Sequence, residues 1–281
     1  MLPLKYEERR PLSEELKPYV KCIWTLQRAY TGDDASEVLW PDGCKEIIFH
    51  YGAVFMKGGE PLPVSFTLGT LSKYCRLHAQ GNLVLYGVRL YPWGLFALTD
   101  QPVQFFNDRF VPTAQLFPEH AAASLLKLER SISTTDDLSY AQTQLESFLR
   151  SRMNARQSRD GLTTALKQLY EMPQSYDVVS AARDAGLSLR QFERQCMKLT
   201  GLTPKRLHRI ARFNQVRMRL LSEPDADLLD CMVEAGYYDY SHFSKDFHQC
   251  LGITPHQFKI WVGRMLSRAG PEHVEFLQDK L

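Results

Sequence analysis

Arg190, Glu193 and Arg194 carry the chemistry of base recognition. Spaced i, i+3, i+4, they fall on one face of any helix that contains them. Arginine pairs bidentately with guanine O6 and N7, and glutamate accepts from cytosine N4. Further along, Tyr240, Ser241, Ser244, Lys245 and His248 form a comparable polar face. Between the two sets lie Lys205, Arg206, Arg209 and Arg212, whose cations suit phosphate oxygens. Thr254-Pro255 opens another helix, whose first amides offer one more phosphate contact. From Gly186 to Arg219, nine basic residues stand against one acid, Glu193: a local excess of +8 in a chain of net charge +2. A merely solvated helix face usually carries interspersed acids, and this run lacks them.

An internal repeat supplies the elements that would position these groups. Ala185-Gly186 recurs as Ala235-Gly236, Phe192 as Phe243, and Gly201-Leu202-Thr203-Pro204 as Gly252-Ile253-Thr254-Pro255. Each copy begins with an amphipathic helix, Val178–Ala185 or Leu228–Ala235, which stops at a glycine able to take the left-handed turn conformation. Ser188 or Asp239 then caps a second helix. That helix is expected to bury Leu189, Phe192, Cys196 and Leu199 in the first copy, and Phe243, Phe247 and Leu251 in the second. It ends at Gly201 or Gly252, and Thr-Pro starts the next helix. Helix, glycine turn, helix is a helix-turn-helix unit, whose second helix enters the major groove. The connecting helix, Pro204–Leu221, would span about 27 Å, close to the ~34 Å between successive major grooves on one duplex face.

The rest of the 281-residue chain has a different grammar. Up to about residue 112, short runs alternate at period two between glycine and proline turns. Val20–Gln27, Glu46–Tyr51 and Leu83–Leu90 read as strands, with Val20, Cys22, Trp24 and Leu26 on one face. Pro118–Arg130 and Asp136–Met153 read as helices, the latter introduced by a Ser133-Thr134-Thr135 capping cluster. Polar Asn154–Asp160 is the expected linker. The fold class is therefore α+β with two domains: a β-rich antiparallel N-terminal domain with flanking helices, and an all-α domain with two helix-turn-helix units joined by a long helix. Their expected bounds are 1–155 and 156–270, with 271–281 a C-terminal tail.

The segment from about Tyr176 to Lys259 resembles the AraC family of bacterial transcription regulators. Gly236-Tyr237-Tyr238-Asp239-Tyr240-Ser241-His242-Phe243-Ser244-Lys245-Asp246-Phe247 is similar to the family's Gly-Phe-x-x-x-Ser-x-Phe-x-x-x-Phe run. Gly252–Lys259 resembles its closing Gly-x-Thr-Pro-x-x-Tyr-Arg. The family usually has a small residue where Met232 stands, and an aliphatic one in place of Cys231. Leu39–Phe49 and Val88–Gly94 resemble, less specifically, the β-rich domain that senses an effector or dimerises in a subset of these regulators. The resemblance implies a sequence-specific DNA-binding regulator, with bases read by Arg190, Glu193 and Arg194 in one unit and by Tyr240, Ser241, Ser244 and Lys245 in the other. The partners it implies are double-stranded DNA, a small-molecule effector, RNA polymerase and a second copy of the chain. Trp24, Phe49, Tyr86 and Trp93 are candidates for an effector pocket, against the competing reading that they are core packing.

Other chemistries have less support. Cys44, His50, Cys75 and His78 do not form a recognised zinc spacing, and no cofactor is implied. No cysteine sits in the Pro-Cys-His-Arg context of a DNA-repair methyltransferase, and no P-loop, Gly-x-Ser-x-Gly or dinucleotide fingerprint occurs, so an enzyme is not expected. The charged start and the lack of a long apolar run point to a cytoplasmic protein without a membrane partner. An architectural or partner-binding DNA-associated protein without effector control is the alternative.

Overall fold

The structure is a computed structural model that describes residues 5–30, 36–153 and 160–269, without the side chains of 160 and 265–269. The expected linker falls outside the described residues except for the backbone of Asp160, and the expected tail lies wholly outside them. The strands are β1 (Lys5–Arg9), β2 (Val20–Tyr30), β3 (Ser36–Leu39), β4 (Lys45–Gly52), β5 (Met56–Lys57), β6 (Glu60–Pro61), β7 (Ser65–Leu68), β8 (Cys75–His78), β9 (Gly81–Leu90) and β10 (Phe110–Pro112). The helices are α1 (Ala122–Ser133), α2 (Leu138–Arg150), α3 (Asp160–Glu171), α4 (Val178–Asp184), α5 (Leu189–Thr200), α6 (Pro204–Ser222), α7 (Leu228–Glu234), α8 (Tyr240–Leu251) and α9 (Pro255–Ala269).

The strands form two sheets, ordered β1-β2-β9-β4-β7-β10 and β3-β8-β5-β6, with antiparallel pairing throughout. Alternation along the larger sheet gives it two apolar faces. Cys22, Trp24, Leu26, Ile48, Phe66 and Leu85 cluster with Phe55 and Leu77 from the side of the smaller sheet. Ile23, Phe49, Tyr86 and Val88 cluster with Leu125, Leu128 and Ile132 of α1 and Leu145 of α2. Val20 joins this second face, contrary to the period-two expectation. The register shifts between Val20 and Cys22, leaving Lys21 as the extra residue of a bulge that moves Val20 across the sheet. Gly87 lies opposite Trp24 in the register, and a Cβ there would stand 2.0 Å from the indole, so the ring lies across β9 only because position 87 is glycine.

Three further expectations change in detail. The cap of α2 is Asp137, whose side chain accepts from Ser139 N. Ser133 instead closes α1, and Thr135 accepts from the amide of Asp137. Leu189 is 49% exposed, because residues 188–191 together form a solvent-facing first turn of α5. Most consequential, the core does not divide where the secondary structure does. The cluster that holds Ile23, Phe49 and Trp93 continues through Leu162, Leu166 and Leu169 of α3, Phe192 and Leu199 of α5, and Leu207 and Ile210 of α6.

Candidate nucleic-acid interface

Local sequence explains why the two helix pairs form. Asp177 caps α4 by accepting from Ser180 N, and Asp227 caps α7 by accepting from Leu229 N and Asp230 N. Gly186 and Gly236, with φ of 66° and 72°, make the left-handed turns. Ser188 and Gln191 then form a reciprocal capping box on α5. Asp239 caps α8 by accepting from His242 N at 2.9 Å. That amide is the main reason the Asp239 carboxyl titrates below its usual value. Gly201 and Gly252, with φ of 71° and 70°, end the two helices. Phe192, Cys196 and Leu199 are buried beneath α5, as are Phe243, Phe247 and Leu251 beneath α8.

Both second helices share one polarity. Residues 188–191 and 238–242 are exposed, whereas Leu199, Thr200, Cys250 and Leu251 are buried. The helices therefore project by their N-terminal turns, the part of a recognition helix that contacts base edges. Arg190, Glu193 and Arg194 are exposed on α5; Tyr240, Ser241 and Lys245 are exposed on α8, with Ser244 half-buried. Sequence reasoning passed over Tyr238, which is 100% exposed at the head of α8; its signal was an aromatic residue just ahead of a helix cap. The connector α6 has nineteen residues, about 28 Å at 1.5 Å per residue.

The basic run is less available than its count implies, because acids outside the run draw part of it inward. Arg212 lies 4.3 Å from the Tyr237 ring centroid, donates to Gly236 O at 3.4 Å and faces Asp246 Oδ2 at 3.6 Å. It braces the second unit, which leaves only its partly exposed edge for the expected phosphate contact. Arg209 leans toward Asp246 Oδ1 at 4.0 Å while staying partly exposed. Burial raises the Asp246 carboxyl despite these two cations and the Tyr237 hydroxyl, which donates to it at 3.1 Å. Arg217 is 1% exposed and donates to Asn214 Oδ1, and Arg219 pairs with Glu223 and Glu234. Lys205 is exposed and Arg206 half-buried at the start of α6. Thr254 caps α9, but its own amide already donates to Gln257 Oε1 at 2.9 Å, so any phosphate there must use later amides.

The four pocket candidates are not brought together. Trp24 lines a cavity of about 50 Å³ between the two sheets, with Trp40, Glu46, Leu77 and Arg89. Phe49, Tyr86 and Trp93 are buried on the opposite face, in the cluster beneath α1 and α2, because strand alternation separates them from Trp24. A larger cleft, of about 1460 Å³, opens between the helices and the end of β1 with the start of β2, lined by Arg9, Lys21, Tyr91, Lys167, Gln215 and Arg219 among others. Four of the six thiols are quiet. Burial pushes Cys196 and Cys250 up to about 12 and raises Cys75 and Cys231, the reverse of nucleophile activation. Among the described residues, no helix is long and apolar enough to cross a membrane.

The chain is similar in parts to known proteins. Residues 181–259 match a family described as a helix-turn-helix domain, and residues 8–112 match one described as a domain of unknown function. The HTH-type transcriptional activator RhaS of Shigella boydii is 34% identical over 80 residues, which span 28% of this chain and 28% of RhaS. Among solved structures, ToxT of Vibrio cholerae aligns with a TM-score of 0.44 at 8% identity, over 91% of this chain and 98% of that one. ToxT bound to an unsaturated fatty acid aligns with a TM-score of 0.40 at 11% identity, over 92% of this chain and 94% of that one. The two helix-turn-helix units form a DNA-binding type of domain, preceded by a β-rich antiparallel domain. The likeness to a known regulator lies in the helix-turn-helix segment and spans little more than a quarter of either chain.

Proposed function

We propose that the chain is a sequence-specific transcription regulator that binds duplex DNA through α5 and α8. The observation that carries this reading is the shared polarity of those helices: capped, exposed, polar N-terminal turns on both, and buried C-terminal ends. Arg190, Glu193 and Arg194 read bases in the first unit. Tyr240, Ser241, Ser244 and Lys245 read them in the second, with Lys205, Arg206 and the exposed side of Arg209 on phosphate. In a duplex selected from a random pool, Arg194→Ala should cost about 1–3 kcal/mol of specific binding and relax preference at one base position. A footprint and base preference unchanged by that substitution would remove α5 from its role. Equal affinity for selected and unrelated duplex at every salt concentration would favour the architectural alternative.

A small effector is the finer part of the proposal. Ligand pockets usually enclose about 300–1,000 Å³, which the inter-sheet cavity does not reach. The cleft between β1, β2 and the helices is large enough, and its six lysines and arginines outnumber its three glutamates, a balance that suits an anionic compound. Its position between the halves would let an occupant bias their contact.

A further inference from the structure

Both recognition helices have their last turns against the β-rich half, and at each a donor comes from that half. Thr200 O accepts from Lys45 Nζ at 3.0 Å, and Gly201 O accepts from Asn107 Nδ2 at 2.9 Å. Cys250 O, in the last turn of α8, accepts from the backbone amide of Tyr74 at 3.1 Å. The last carbonyls of a helix have no partner within it and carry the negative end of its dipole, so a cation or an N–H placed there is favoured.

Lys45 suits such a site for a specific reason. Its ammonium donates to Thr70 Oγ1, Pro92 O and Thr200 O, which uses all three of its hydrogens. Burial lowers it to about 7, against the opposing pull of Cys44, Cys196 and Asp42, the titratable groups around it. A buried lysine without a carboxylate partner is costly, and the three acceptors it holds are what offset that cost.

Residues 40–45 form one strap across the helical half. Trp40 packs edge-on against Phe258 and Trp261 of α9, with the Arg217 guanidinium 5.5 Å from its ring. Asp42 O accepts from Tyr170 OH of α3 at 2.8 Å. Gly43 sits so close that a Cβ would lie 3.2 Å from both Tyr170 and Ile210. Lys45 then reaches the end of α5.

We propose that the β-rich half is an external brace that sets the pose of both recognition helices, with Lys45 the positioning residue for the first. The proposal rests on the DNA-binding reading above. The test uses the full chain with Lys45→Met and, as the less buried alternative, Asn107→Ala. Amide hydrogen exchange without DNA should rise about tenfold across residues 196–203 in either variant while β2 and β9 keep their protection. Affinity for the duplex selected by the wild-type chain should fall about tenfold, as expected for a hydrogen bond to a charged group. The wild-type penalty for one base pair inserted between the two contact sites should shrink. Faster exchange with unchanged affinity and unchanged spacing penalty would reduce the contact to packing and overturn the brace. Unchanged exchange in both variants would overturn it without reference to DNA. A wild-type chain that selects no duplex would overturn the DNA-binding reading and the brace with it, while the exchange result would still stand as a measure of the contact.

Discussion

The first helix-turn-helix unit packs Phe192, Cys196, Leu199 and Leu202 into the cluster that contains Ile23, Phe49 and Trp93 of the β-rich half. The second closes Phe213, Phe243, Phe247, Phe258 and Val262 into a cluster of its own, which meets the β-rich half at Trp40 and at the Tyr74–Cys250 hydrogen bond. The first is an extension of a neighbouring core, pinned by polar donors. The second is a chain of ring contacts, Tyr237 to Phe243 to Phe247 to Phe258, braced by Asp246 with its two arginines. A repeat in sequence has thus become two supports of different kind. Damage should spread from the first and stay local in the second.

The largest expected effect separates the two directly. Phe192→Ala and Phe247→Ala should each cost about 3–5 kcal/mol, the usual range for emptying a buried phenylalanine site. Amide exchange should show the first substitution loosening β2, β4 and β9 along with α5, and the second loosening residues 213–262 alone. Identical maps for the two variants would break the comparison.

A smaller effect concerns the pin. Lys45 is lowered in the folded chain to about 7 from the ordinary 10.5. Between those values the unfolded chain holds a proton that the folded chain has released, so this group makes stability rise with pH, by up to about 1.4 kcal/mol per pH unit. Below about 7 both states are protonated and its contribution is flat. Urea melts from pH 6 to 9 should show that slope in the wild-type chain and lose it in Lys45→Met. Comparing the two chains removes the shared thiols and phenols.

The smallest effect tests whether the two caps are equivalent. Ser188→Ala and Asp239→Ala should each cost about 1 kcal/mol. The loss should be larger at Ser188 because its hydroxyl also donates to Gln191 Oε1, and urea midpoints would show the order.

What was legible in the sequence was what a few neighbouring residues decide. Ser188, Asp239, Gly186, Gly201, Gly236 and Gly252 each act within one turn of their own position, and the structure places them as caps and left-handed turns. The strands around Trp24, Phe49 and Tyr86 were visible by period. Their division between two faces was visible too, once a bulge at Lys21 is allowed, but four aromatics suggested one pocket more readily than two cores. Strands as short as β5 and β6 carry too few residues for a period. The inward turn of Arg212, Arg217 and Arg219 depended on Asp246, Asn214, Glu223 and Glu234, and counting charge along the chain cannot show which cations those groups engage. The burial of Lys45 against Thr200 joins positions 155 apart, which no local pattern encodes.

The shared core also bears on modularity. Regulators are often pictured as sensors and readers that can be exchanged like parts. Here the boundary suggested by the secondary structure runs through a continuous hydrophobic cluster, and α3, α5 and α6 complete what β2, β4 and β9 begin. A foreign sensor grafted ahead of Asp160 would leave Leu162, Leu166, Leu169 and Phe192 without their neighbours. In this chain the first unit is continuous with the β-rich core, whereas the second is tied to it by Trp40 and the Tyr74–Cys250 bond.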